Sequence, residues 1–398
     1  MSIMTPQEAF NIVDRCARDE EIDRLLVDLL RYPSPKTDQL EADPQVKRFI
    51  AENVAPRLAE FTASAGAIDA MGNLIWRLGG ASAHGLLFMG YAMTFPAASM
   101  KHPFSGALVG GQPFGVASQC AFGRGACEQK GALAGMICAA AILARARVAL
   151  PAPLILAVSL AGETGRHEAA EFILQNDAIG ARSAIIGLGT GNRVCLGNKG
   201  RIDVEIVVHG KSAHSSMPEK GVNAVDGFRR VLECLDRLPL GAHPRLGSAT
   251  LTVTKIRSGP DLSHTIPDVC RAVLDRRLLP GEDPNAALRD IRDALKEVTG
   301  WPIEVTGGVF MYPSEVAEDC GIAAATTRSV REVTRREAES FYSPAALDAG
   351  FLNRSGIETI MFGPGDLRFA HTDGEAVSLQ EVRDAAKIYA ATALQVLA

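Results

Sequence analysis

The chain has 398 residues, too many for one ordinary hydrophobic core, so two domains are the starting expectation. Apolar residues make up 47% and charged residues 22%, which excludes a disordered chain. The formal net charge is −5, with no basic stripe and no run of like charges, so nothing favours nucleic acid or an anionic membrane as a partner.

The N-terminal stretch MSIMTPQEAFNIVDRCARDEEIDRLL is charged and amphipathic, without the apolar core of a signal peptide. No window reads as a membrane span of about 20 apolar residues. Residues 1–60 read as two helices, with apolar positions at helical spacing in Ile22, Leu25, Leu26, Leu29 and Leu30 and again in Val46, Phe49, Ile50 and Val54, parted by the loop YPSPKTD. Short strand-like runs follow at 73–78 and 85–89, the second leading into GYAMTFP. In FGRGACEQKGALAGM, at 122–136, a tight Gly-Arg-Gly turn delivers Glu128 and Lys130 to the start of an Ala-rich helix running to about Val148. Free N–H groups at such a junction offset a carboxylate's charge, which suits either a cation ligand or a simple helix cap.

The apolar strand 154–160 runs into AGETGRHEAAEFIL, a loop feeding a helix, and 184–186 is a further strand. Continuous apolar strands alternating with helices predict an α/β domain with a largely parallel sheet and sites at strand C-terminal ends. Gly187, Gly189 and Gly191 suggest a dinucleotide loop, but Asn192 stands at its last glycine and a strand follows, so that reading is rejected. From about Gly200 the pattern becomes strand 202–208, helix 224–238, strands 249–256 and 269–274 and helix 284–298, the β-α-β-β-α-β order of a split βαβ sandwich. The α/β pattern resumes near Val309, with SPAALDAG, a strand at 359–362 and a C-terminal helix at 379–397. A larger domain, 1–198 and 309–398, is thus interrupted by a smaller one, 199–308. Eight cysteines without a CxxC pair fit a reducing cytoplasm, with thiols used as small apolar groups.

In order along nearly the whole chain, GRGACEQKG, GETG after a strand, KGR, HGKSAHSSMPEKGVNA, LDRRLLPGE and FGPGDLRFAHTDGE resemble the two-zinc aminoacylase and carboxypeptidase family. That family includes acetylornithine deacetylase, succinyl-diaminopimelate desuccinylase and glutamate carboxypeptidase. The resemblance implies a zinc-exopeptidase-like α/β catalytic domain, an inserted ferredoxin-like α+β lid that also forms a homodimer, and amide hydrolysis at two metals bridged by a carboxylate.

Carried over residue by residue, the resemblance is uneven. Tyr91 of GYAMT stands at the family's first histidine ligand and Met93 at its supporting aspartate. Glu128 matches the bridging aspartate with one more methylene. Of two consecutive glutamates, the general base has become Gly162 and the ligand is kept as Glu163. A further acidic ligand falls on Leu188, and the final histidine is His371. Glu128, Glu163 and His371 are therefore expected to hold one divalent metal, zinc or manganese, with the second site lost. Proton transfer without the usual base falls to His167, on the face of Glu163 if the segment is helical, or to Tyr91. Cys127 is discounted, because the adjacent carboxylate raises its pKa.

On the lid, His214 matches the histidine that reaches across the dimer to the substrate carbonyl, and Arg277 an arginine that grips a substrate carboxylate. His264, replacing an asparagine, and Asn223 complete the expected substrate contacts. Asp348 and Glu375 match supporting positions, and Gly350 replaces a commonly basic residue. The favoured reading is a cytoplasmic hydrolase of an amide in a small carboxylate-bearing molecule. The alternatives are a catalytically silent homologue that binds a small acid or a partner protein, and a metal-independent enzyme using Tyr91, His167, His214 or His264.

Overall fold

Where the sequence predicts one helix before the YPSPKTD loop, the chain forms two. In the computed structural model, which describes residues 4–398, Thr5 and Glu8 close a capping box on Pro6–Cys16, and the chain turns extended at Ala17 before Asp19–Arg31. Residues 1–3 of the charged N-terminal stretch lie outside the described residues. The second helix buries Ile22, Leu25, Leu26, Leu29 and Leu30, the predicted apolar face.

The chain divides into one unit of Met1–Gly197, Glu315–Phe341 and Phe351–Ala398 and another of Asn198–Ser314 and Tyr342–Gly350. At the centre of the larger unit the strands Leu154–Ser159, Gly85–Tyr91, Ala181–Gly187 and Glu358–Phe362 lie side by side and parallel, with Leu74–Leu78 antiparallel beside the first. Their runs of Leu, Ile, Val and Ala are buried on both faces, which is why they read as continuous rather than alternating. The turn after Ala181–Gly187 passes so close to another segment that a Cβ on Gly189 would sit 2.1 Å from the Cys127 carbonyl. Close backbone approach, not a nucleotide, explains that glycine.

The Ala-rich helix is Gly131–Ala146, preceded by a π-helical turn, Ala126–Lys130. Together, Ala126–Ala146 is long and apolar enough to cross a membrane, which corrects the expectation that no window reaches that length. Glu128, Gln129 and Lys130 disguise the run in the sequence. All of that window is buried within the fold, as in the core helix of a globular domain.

A second, three-stranded sheet positions the chemistry. Ala107–Val109, Cys120–Phe122 and Ala376–Ser378 pair antiparallel, with Ala376 opposite Phe122. This register lays residues 123–130 beside 371–375. The two segments are joined by Arg124 and Glu375, whose side chains are wholly buried and 2.9 Å apart. Glu375 also accepts from the N–H groups of Gly125 (2.9 Å) and Glu128 (3.3 Å). The free N–H groups of the turn therefore neutralise Glu375 and leave the Glu128 side chain available, which favours the ligand over the cap of the two readings of this junction. On the other side of the turn, buried Lys130 donates from Nζ to the carbonyls of Leu29 (2.9 Å) and Tyr32 (2.6 Å), closing the end of Asp19–Arg31. Burial pushes its pKa down to about 7.

The smaller unit has the antiparallel strand order Thr250–Gly259, Val269–Leu278, Gly200–His209, Ile303–Met311. Helices Ala224–Leu235 and Pro284–Leu295 share one core with it, built on Val204, Ile206, Phe228, Val231, Leu274 and Ile291. The last strand carries the ladder through Val309, pairing Phe310 with Ile202 and Met311 with Arg201. The smaller unit thus continues to Ser314 rather than ending at 308, and it takes in part of SPAALDAG as Tyr342–Gly350.

Removing one member of a buried ion pair leaves the other charged and unpaired. Glu375→Ala should lower unfolding free energy by roughly 3–5 kcal/mol, read from urea titration, and Glu375→Gln by less, since the amide still accepts from Gly125 and Glu128.

Candidate metal centre

Three chain segments supply the centre. Glu128 rises from the π-helical turn pinned by Glu375. Glu163 lies in the loop after Leu154–Ser159, at the C-terminal edge of the parallel sheet. His371 precedes Ala376–Ser378 in a left-handed backbone conformation (φ 62°) and stacks on Phe95, ring centroids 4.0 Å apart. Its Nε2 lies 2.6 Å from Glu128 Oε1 and 3.5 Å from Glu163 Oε1. Among the described residues these three form the one group of His, Cys, Asp or Glu whose donor atoms all fall within 4.8 Å of one another.

Glu128 is 7% exposed, and its second oxygen, Oε2, is buried without a partner. Burial pushes the Glu128 carboxyl up to about 8, against the opposing hydrogen bond from His371, with Glu163 adding to the rise. Hydrogen bonds to Glu128 and then Glu163 push His371 up to about 10. Glu163 is raised by burial, but the hydrogen bonds from His371 and Glu128 outweigh this and hold it below the usual glutamate value. The cluster thus retains protons between two carboxylates. Two carboxylates, one of them with an orphaned buried oxygen, and an imidazole are a donor set for a divalent cation, so the residues fit the metal that the sequence implies.

The other expected residues divide between the two units. In the larger unit, Tyr91 ends its strand opposite Ser159 and is 3% exposed. His167 requires a correction: the helix begins only at Glu168, so it shares no helical face with Glu163. It is buried and stacked 5.2 Å from the Phe351 ring. Cys127 is buried with its thiol 3.6 Å from Glu375 Oε1, and burial followed by the Glu375 and Glu128 charges pushes its pKa well up, as expected for an inert thiol.

In the smaller unit, His214 is exposed, with Nδ1 2.8 Å from Ser216 Oγ, and His264 is exposed. Asn223 spends its side-chain oxygen capping Ala224–Leu235 (2.9 Å to Val225 N), while its carbonyl receives the Trp301 indole. The Arg277 fork is engaged by Asp275 at 2.7 and 3.1 Å, so gripping a substrate acid requires exchanging one carboxylate for another. No local pattern marks Phe95, whose ring stacks on His371, or Gln129, which is 2% exposed and reaches Glu163 Oε1 from Nε2 at 3.5 Å.

Residues 196–301 match the family model for a peptidase dimerisation domain. The chain is 31% identical over 280 residues to an acetylornithine deacetylase of Myxococcus xanthus, covering 66% of this chain and 68% of that one. Its structure is similar to that of an M20 family metallo-carboxypeptidase of Sulfolobus solfataricus, with TM-score 0.77 and 16% identity over 95% of this chain and 99% of the other. It is also similar to a dinuclear metal-binding M20 peptidase of Bacillus subtilis, with TM-score 0.69 and 14% identity over 95% and 98% of the two chains.

A divalent cation entering the cluster must displace the protons shared by His371 and Glu128. Cation affinity should therefore rise with pH from 6 towards the raised value of about 10 at His371. Calorimetric titration in buffers of differing ionisation enthalpy at neutral pH should show more than one proton released per ion, because Glu128 and His371 are both raised above neutrality.

Proposed function

Because the chain belongs to the M20 aminoacylase/carboxypeptidase family of hydrolases, we propose that it cleaves the amide bond of a small carboxylate-bearing molecule with one divalent cation, zinc or manganese, held by Glu128, Glu163 and His371. The observation that carries this reading is the convergence of those three donors from segments far apart in sequence, with one Glu128 oxygen buried and unpartnered. A cation held there would polarise the scissile carbonyl and lower the pKa of a water molecule.

The chain's own residues set the rest. The Phe95 ring holds the His371 imidazole in a single plane, and the Glu375 clamp holds the backbone beneath Glu128. His214, exposed on the lid, donates to the oxygen that becomes negative, acting on the other subunit's substrate as the family resemblance implies. Arg277, released from Asp275, and His264 meet the substrate's carboxylate end. Tyr91 is the proposed proton carrier, because Gly162 supplies none.

The edge strand of the lid sheet, Thr250–Gly259, which leaves Val253 and Ile256 exposed, supports a homodimer formed through that edge. An open edge with apolar side chains pairs readily with a second copy. The eight free cysteines favour the cytoplasm. The second reading, a non-catalytic small-acid binder, draws on Gly162, where a Cβ would sit 2.4 Å from the Met93 carbonyl and no base can be restored without backbone movement.

Elemental analysis after zinc loading should find about one equivalent per chain in the wild type and under about a tenth in His371→Ala. Hydrolysis of N-acyl amino acids that is lost in Glu163→Gln selects the enzyme over the binder. No turnover by a fully loaded protein selects the binder. Val253→Lys with Ile256→Lys should shift the mass measured by light scattering from dimer to monomer while leaving zinc content unchanged.

A further inference from the structure

The place of the missing side chain at 162 is already filled. A Cβ on Gly162 would stand 2.5 Å from Gln129 Nε2 as well as 2.4 Å from the Met93 carbonyl, so the Gln129 carboxamide lies where a residue 162 side chain would begin. Gln129 is 2% exposed, and its Oε1 is buried with no partner. Its Nε2 meets Glu163 Oε1 at 3.5 Å, the outer limit of a hydrogen bond. A buried amide so poorly satisfied calls for an explanation.

The spacing offers one. Two donors on one tetrahedral zinc, each at roughly 2.1 Å, stand about 3.4 Å apart. The amide atom facing Glu163 is at that separation, as is His371 Nε2 from the same oxygen. The carboxamide's N and O are nearly identical in shape, so half a turn about its last bond presents oxygen in place of N–H. Without a cation, the N–H faces the carboxylate. With a cation on Glu163, the oxygen is preferred there.

We propose that Gln129 is a further ligand of this centre, a neutral oxygen donor that turns toward a cation held by Glu128, Glu163 and His371. Charge explains why an amide suits this place. Two carboxylates already balance a divalent ion, and a third would leave an uncompensated negative charge in a buried site. An amide adds a donor without adding charge. It cannot take up a proton, so it replaces the family base in space and not in chemistry. This inference rests on the cation site proposed above.

The test uses chelator-treated full-length protein and zinc chloride in calorimetric titration, with far-ultraviolet circular dichroism to confirm folding. Gln129→Met, of similar volume and without the amide oxygen, should weaken zinc binding at least about tenfold. With cobalt in place of zinc, Gln129→Met should shift the visible absorption bands, which a purely structural role would not do. Gln129→Asn, which shortens the reach, is the second variant should Gln129→Met fail to fold, and it should weaken zinc binding similarly.

Zinc affinity within twofold of wild type and unchanged cobalt bands in the folded variant would overturn the assignment of Gln129, while loss of binding in His371→Ala keeps the three-residue site. A wild type that binds no zinc, or a His371→Ala variant that binds it normally, removes the site itself and the Gln129 ligand with it.

Discussion

The buried pair of Arg124 and Glu375 fixes the distance between residues 251 positions apart along the chain. Two ions without solvent contact lose hydration that their mutual attraction repays only when further hydrogen bonds support it. Here the Gly125 and Glu128 N–H groups complete the carboxylate, and the Ala97 carbonyl accepts from Arg124, whose Nε is left buried without a partner. The pair touches no donor atom of the centre. It sets the backbone from which Glu128 and, four residues before Glu375, His371 project. Lys130 holds the same turn from the opposite side through two carbonyls, so the head of the core helix is anchored on both flanks.

That anchoring allows an arrangement that would otherwise relax. Glu128, Glu163 and His371 crowd together, one carboxylate oxygen has no partner, and His371 keeps a left-handed backbone that non-glycine residues adopt at a cost. The unpartnered oxygen and the left-handed backbone each oppose folding. Their coincidence at the C-terminal edge of a parallel sheet is the pattern of a site retained for its chemistry.

The architecture was legible because it is written in periodicity. Continuous apolar runs predicted the parallel strands, and the switch to alternation at Gly200 marked the inserted unit. The three converging donors were legible only through the resemblance, since nothing local ties Glu163 to His371. What escaped depends on packing. GRGACE looks like a helix cap made by its own acid, yet the N–H groups are taken by Glu375 from the far end of the chain. GETGRHE reads as a loop feeding a helix without fixing where the helix starts; it starts at Glu168 and strands His167 against Phe351. Gln129 carries no signal at all, because its importance lies in what Gly162 lacks.

On the reading proposed here, the changes at the second coordination sphere act together. Tyr91, Met93 and Leu188, at the positions of lost ligands and support, are 3%, 0% and 6% exposed, so the region has been repacked with large buried groups. Two glutamates balance one divalent ion. A second ion would bring two further positive charges into a buried setting from which the matching carboxylates have gone, at a desolvation cost of several kcal/mol per charge. Replacing an acid with leucine and a histidine with tyrosine therefore sets the ion count through electrostatics as much as through ligand number. A neutral amide beside Glu163, where the family carries a third acid, follows the same balance.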